Sequence, residues 1–199
     1  SFDFIVGVTF NVNRNHKVIL GKESTTLDGE NLIKERLNGV DLIINDRAFF
    51  QINVPLIEKA YQIIKDDLSE DDVVIDAYSG IGSIGYYVYD KVKKVIMVES
   101  NKQNINLAHQ IRDEHIIKNV EIAYQRAEAY LASEQVDKVI CDPPRNGLMP
   151  EFIDNLIALK PDKIYYLSCD VKTLARDIKL LKASYDIEVI HPIRMFYHT

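Results

Sequence analysis

Four short stretches of this sequence gather residues able to do chemistry, and each follows directly on an apolar run. Ser168-Cys169-Asp170 presents a thiol at the end of KIYYL. A cysteine there is either a small buried hydrophobe or a nucleophile, and a nearby helix start or the guanidinium of Arg176 would favour the thiolate. Cys141-Asp142-Pro143-Pro144-Arg145 ends KVIC; two successive prolines stiffen the backbone just past a buried strand, as suits a rigid wall beside a planar substrate. Asp142 is then fixed at the site, and Arg145 can meet a phosphate or an acid. Cys141 lies one position inside the strand and reads as packing.

The other two stretches look like a ligand-binding edge. Asp76-Ala77-Tyr78-Ser79-Gly80-Ile81-Gly82-Ser83 follows VVI, and its glycines let backbone approach a ligand while the next helix points free N–H groups at it. Glu99 closes the following run, KVIMV, where a carboxylate can accept from two ribose hydroxyls. A solvated strand-end residue is the plainer reading of Glu99, and a core-edge ring is that of Tyr78. A pyrophosphate ligand would call on the dipole and bare N–H groups of the first helical turn, whereas a nucleoside carrying an amino acid needs only ribose and amino-acid contacts there.

The elements that must position these residues alternate. VVIDAY, KVIMVES, VEIAY, KVICDPP, KIYYLSC and YDIEVIHPI read as strands, and helices are expected to begin near Ile81, Asn101, Arg126, Pro150 and Val171. This implies an α/β fold, a Rossmann-like open parallel sheet with flanking helices, whose ligands sit beyond the carboxyl ends of the strands. Ahead of it, NVPLIEKAYQIIKDDL places Leu56, Ile57, Ala60, Ile63, Ile64 and Leu68 at helical intervals, with Asn53 as the expected cap. Residues 1–50 read as a small β-rich unit (DFIVGVTFNVN, HKVILG, then VDLII after a short polar helix), and 51–199 as the main domain.

Composition limits the function classes. The 199 residues carry a formal charge of −6, which weakly repels a phosphate backbone unless a local patch compensates. No apolar run is long enough for a membrane helix. Two cysteines offer neither a disulfide scaffold nor a metal-ligand set, so no metal is expected and a reducing, cytoplasmic setting fits. Ser1 in place of Met and an end at MFYHT read as a piece of a longer chain.

Taken in order, FFQIN, DAYSGIGSIG, CDPPRNG, YLSCDVKTLARD and MFYHT resemble the RNA uracil-5 methyltransferases over essentially the whole chain. The resemblance implies a class I S-adenosylmethionine-dependent methyltransferase domain, preceded by the end of a β-rich, RNA-binding insert. It places the cofactor contacts on Gln51, Asp76, Tyr78, Gly80, Gly82, Ser83 and Glu99, Asp142 at the junction of cofactor and base, and the nucleophile on Cys169. It implies RNA as the partner, ribosomal in preference to transfer RNA, with no obligate protein partner. Relatives often carry a 4Fe–4S cluster in a region ahead of this one. The chain departs at Asp170-Val171, where Asn-Pro is usual, and at Arg194 and Tyr197. The family's general base, a glutamate, would fall shortly beyond Thr199, so these residues alone are expected to bind cofactor without turning over. A methyltransferase acting on another substrate such as cytosine C5, or an RNA-binding module that keeps the cofactor fold, are the competing readings.

Overall fold

A computed structural model describes residues 5–14, 20–21 and 23–195. The chain opens with two antiparallel ribbons, β1 (Gly7–Val12) with β2 (Glu23–Gly29), and β3 (Leu32–Leu37) with β4 (Val40–Asn45). The short polar helix expected before VDLII is instead β3. Asn38 and Gly39, at φ 46° and 81°, form a two-residue turn whose twist suits a hairpin and pairs Leu37 with Val40. HKVILG falls largely on residues 15–19, outside the described residues.

The second ribbon is built into the main core. Leu37, Val40, Leu42 and Ile43 are buried in one cluster with residues of α1 (Val54–Asp66), α2 (Ser83–Val88) and α3 (Lys102–Glu114). Along α1 the buried face is Ile57, Ala60, Tyr61 and Ile64, whereas Ile63 faces solvent. Asn53 does not cap α1 through its side chain; its Nδ2 donates to the carbonyl of Met195 at 2.8 Å.

The central sheet has five strands, all parallel: β5 (Val73–Ala77), β6 (Lys94–Glu99), β7 (Val120–Tyr124), β8 (Lys138–Cys141) and β9 (Lys163–Tyr166), in the order β7-β6-β5-β8-β9. Strand order reverses at β5, so the crevice for a ligand opens at its carboxyl end. VVIDA is buried throughout, as a strand covered on both faces must be. A second apolar cluster covers the opposite face with residues of α4 (Pro150–Leu159) and α5 (Val171–Leu181).

Two elements expected in the main domain differ. The helix expected near Arg126 is one 3-10 turn, Ala127–Ala129. Asn155 of α4 donates to the carbonyl of Glu128 at 2.7 Å, taking an acceptor that a longer helix would use. The short turn leaves an apolar cavity of about 220 Å³ over the sheet, between Ala77, Val98, Tyr130 and Phe152. YDIEVIHPI forms no strand: Tyr185, Ile187 and Val189 alternate without a ladder partner. Side chains tie the segment down instead, through the Lys163–Glu188 ion pair at 2.7 Å and the Asn53–Met195 bond.

Candidate functional site

The loop leaving β5 turns sharply. Tyr78, Gly80 and Gly82 have φ of 61°, 59° and 91°, and the amide of Gly82 closes the turn on the carbonyl of Ser79 at 2.8 Å. A Cβ on Gly82 would lie 2.6 Å from Sδ of Met97, so glycine is needed there for space as well as for φ. Around Gly80 nothing lies within 4 Å of the same position, and this open side is where a ligand can approach.

Three carboxylates lie at this end of the sheet, on or just past β5, β6 and β8. Oε2 of Glu99 accepts from the amide of Gly80 at 3.0 Å and Oε1 from that of Asn101 at 2.5 Å, which orients the group and leaves lone pairs for further donors. Asp76 is fully buried; its Oδ2 accepts from the amide of Gly85 at 2.8 Å, and its Oδ1 has no partner. Burial pushes the Asp76 carboxyl up to about 8, and the charges of Asp142 and Glu99 add to the effect against the Gly85 bond. Asp142, past the end of β8, is pushed up to about 6 by burial. A buried oxygen without a protein partner beside two other carboxylates is an environment suited to a cationic group.

The remaining expected contacts divide. Ser83 stands at the start of α2 with its Oγ 3.3 Å from the hydroxyl of Tyr61, a residue of α1 that sequence reasoning passed over although it shares the helical face of Ile57 and Ile64. Burial and the charges of Asp142 and Asp76 hold the Tyr61 hydroxyl firmly protonated. Tyr78 turns away from the glycine loop toward α4: its ring meets Phe152 edge-on at 5.3 Å and its hydroxyl donates to Glu128 at 3.0 Å. Gln51 is half-buried ahead of α1, and no hydrogen bond joins it to the loop.

The second half of the crevice lies across β8 and β9. The amide of Leu167 donates to the carbonyl of Cys141 at 2.9 Å and extends the β8–β9 pairing to the point where both chains leave the sheet. Asp142 follows on one side, and Leu167, Ser168 and Cys169 on the other. The thiol of Cys169 is exposed, whereas Cys141 is buried and donates to the carbonyl of Tyr165 at 3.4 Å. Asp170 caps α5, its Oδ1 accepting from Lys172 and Thr173 at 2.9 and 3.1 Å, so Cys169 sits just ahead of a helix amino end. Arg176, expected to act on the thiol, is committed elsewhere, to Asp177 and to the carbonyls of Asn146 and Leu148.

A sequence profile described as tRNA (uracil-5-)-methyltransferase matches residues 125–199, and one described as methyltransferase small domain matches residues 56–158. An uncharacterized RNA methyltransferase of Leptospira interrogans is 40% identical over 202 residues, covering 98% of this chain and 51% of the relative. One of Streptococcus mutans is 38% identical, covering 100% and 46%. The crystal structure of Pyrococcus abyssi tRNA (uracil-54, C5)-methyltransferase in complex with S-adenosyl-L-homocysteine superposes with a TM-score of 0.82 at 29% identity, over 98% of this chain and 48% of that one.

The chain belongs to the methyltransferase small-domain family and, over residues 125–199, is similar to the tRNA (uracil-5-)-methyltransferases. Its sheet is the Rossmann-like fold of S-adenosylmethionine-dependent methyltransferases. The uracil-5 methyltransferase profile spans Asp142 and Cys169; the small-domain profile spans the glycine loop and Glu99. The chain covers about half the length of these relatives. Among the described residues no helix is long and apolar enough to cross a membrane.

Proposed function

We propose that this chain carries the cofactor pocket and the nucleophile of an enzyme that methylates C5 of a uridine in ribosomal or transfer RNA, in the cytoplasm. The observation that carries the reading is the exposed thiol of Cys169 at the carboxyl end of β9, one strand from Asp142 and on the same sheet edge as the Asp76, Gly80 and Glu99 cluster.

The pocket fits S-adenosylmethionine. In this reading Glu99 accepts the ribose hydroxyls, the open side of Gly80 admits the nucleoside, and the unpartnered oxygen of Asp76 faces the amino-acid end with its positive charge. Gln51, Gly82 and Ser83 complete the wall, and Tyr78 braces the loop from behind through Glu128. When bound, the sulfonium supplies an electrophilic methyl group. The 4Fe–4S cluster that the resemblance implies belongs to a region ahead of this one; among the described residues no group of His, Cys, Asp and Glu is placed to hold a metal ion, so no step runs through one.

Uracil C5 is a weak nucleophile, and Cys169 overcomes this by adding as thiolate to C6, which moves the ring electrons onto C5 as an enolate. C5 takes the methyl group as its bond to sulfur breaks. A general base removes the C5 proton, and the electrons of that bond expel the Cys169 thiolate and restore the ring double bond. The resemblance assigns the base to a glutamate beyond Thr199. Asp142 lines the junction, where its pKa of about 6 leaves it able to accept or share a proton near neutral pH.

The test is methyl transfer by the full-length protein to uridine-containing ribosomal and transfer RNA transcripts, with nucleoside mass spectrometry of the product. 5-Methyluridine is expected, together with a denaturation-resistant adduct on 5-fluorouridine RNA. Methylated cytidine, or cofactor binding without any methylated nucleoside, would sink the proposal.

A further inference from the structure

Asp177 of α5 is fully buried, yet the reaction proposed above has no use for its carboxylate. A buried carboxylate persists only if donors surround it. Here Oδ2 accepts from the amide of Leu148 at 2.8 Å and from the hydroxyl of Tyr166 at 2.7 Å, while Oδ1 accepts from Nε of Arg176 at 2.7 Å. Arg176 extends the grip: its Nη2 donates to the carbonyl of Asn146 at 2.9 Å and to that of Leu148 at 3.1 Å. One turn earlier, Oγ1 of Thr173 reaches the carbonyl of Arg145 at 3.3 Å. Side chains of α5 thus hold the backbone on both sides of Gly147, which closes the Pro-Pro-Arg-Asn turn.

Gly147 shows how tight the grip is. Its φ is +76°, and a Cβ there would lie 2.4 Å from Oδ2 of Asp177 and 2.7 Å from Nη2 of Arg176. The loop packs onto the charged pair so closely that only glycine leaves room for it.

The same helix begins at Val171, and its cap, Asp170, directly follows Cys169, so the thiol sits immediately ahead of the element that carries the clamp. On the other side, Asp142 is joined to the clamped turn through Pro143 and Pro144, which have little backbone freedom. The Leu167–Cys141 bond fixes both chains where they leave the sheet. We infer that Arg176 and Asp177 are positioning residues that set the Asp142 loop at a fixed place relative to the thiol of Cys169. The inference rests on the proposed roles of Asp142 and Cys169. It requires that loosening the clamp slow the chemistry while leaving the cofactor pocket, built on β5 and β6, unchanged.

The test uses the full-length protein with Arg176→Lys and Asp177→Asn. Lysine keeps a cation beside Asp177 but has no second arm for the carbonyls of Asn146 and Leu148. With RNA saturating and the temperature well below the melting point, Arg176→Lys is expected to lower kcat on the order of 10²-fold, the cost of a small misplacement of reacting groups. Its Kd for S-adenosylhomocysteine should stay within about twofold, since an interaction acting only on the chemical step leaves binding alone. A kcat equal to wild type, or a kcat that falls in step with cofactor affinity and melting temperature, overturns the inference. Should wild type bind cofactor but form no adduct with 5-fluorouridine RNA, the reading of Cys169 fails instead. Amide exchange then judges the clamp by itself: an unchanged Leu148 amide in Asp177→Asn overturns it, and a faster one upholds the grip.

Discussion

The amide of Gly85, in the first turn of α2, donates a 2.8 Å hydrogen bond to Oδ2 of Asp76, while the other oxygen of that carboxylate is buried with no partner. One bond does not offset full burial beside Asp142 and Glu99, and the group is held near a pKa of about 8 against an ordinary 3.8. At neutral pH Asp76 is therefore mostly protonated before cofactor binds. We predict that binding S-adenosylhomocysteine at pH 7, which brings an ammonium into the pocket, expels close to one proton, as about 90% of a group with this pKa is protonated there. Titration calorimetry in buffers of different ionisation enthalpy reads the proton count. Asp76→Asn should release almost none, and equal release by both proteins would remove Asp76 from the site.

The same shift has a consequence for stability. Because the folded pKa lies above the unfolded one, the native state binds more protons between about pH 4 and pH 8, and this contribution to stability falls as pH rises through that window. Asp142 acts in the same direction up to about pH 6. In thermal melts without cofactor, wild type should lose more stability than Asp76→Asn between pH 5 and pH 8. Parallel curves would contradict it.

Glu99 is a different kind of carboxylate, half-buried and oriented by the amides of Gly80 and Asn101. We predict that Glu99→Gln weakens S-adenosylhomocysteine binding by roughly 10- to 100-fold, the scale of losing a charged acceptor for a ribose hydroxyl. Melting should shift little, because the amide oxygen of glutamine can still accept from Gly80. Unaltered affinity by calorimetry would move the ribose elsewhere.

What the sequence disclosed follows from the range of each interaction. VVIDA, KVIMVE and KVIC are short, almost wholly apolar runs because parallel strands are covered on both faces, and the residues after them fall on the ligand edge by topology alone. LIKERL misled because Lys34, Glu35 and Arg36 in sequence suit an exposed helix; the Asn38-Gly39 turn was the signal for a hairpin. YDIEVIHPI carries a strand's alternation without a ladder partner. Arg176 and Asp177 read as charges on a helix, and nothing local reveals that their partners are backbone groups of the Asn146–Leu148 turn.

Gly80 and Gly82 share a left-handed φ but differ in surroundings, and this separates two effects. Gly82→Ala meets Met97 and Tyr86 at under 3 Å and is predicted to destabilise the fold by about 2–4 kcal/mol, strain and overpacking together. Gly80→Ala meets nothing and should cost only the strain, on the order of 1 kcal/mol, while its methyl group enters the ligand space and weakens cofactor binding. Denaturant melts and calorimetry on both variants decide this; a Gly80→Ala protein with normal cofactor affinity would mean that the open side of the loop is not the pocket.

The two cysteines offer the sharpest contrast, since Cys141 ends β8 and Cys169 follows the neighbouring β9, yet only Cys169 is exposed. Burial, with Asp142, Asp177 and Asp76 nearby, drives the Cys141 thiol well above its ordinary range and keeps it a thiol. We predict that Cys169→Ala in the full-length protein abolishes the covalent adduct with 5-fluorouridine RNA, seen as loss of the slow-migrating band on denaturing gels. Its melting temperature should stay near wild type, as for most exposed substitutions. Cys141→Ala should keep the adduct and instead lose about 1–2 kcal/mol of stability through the small cavity it leaves. Loss of the adduct in both variants, with both still folded, would show that the thiol of Cys169 has no special part, and retention in both would place the nucleophile outside this chain.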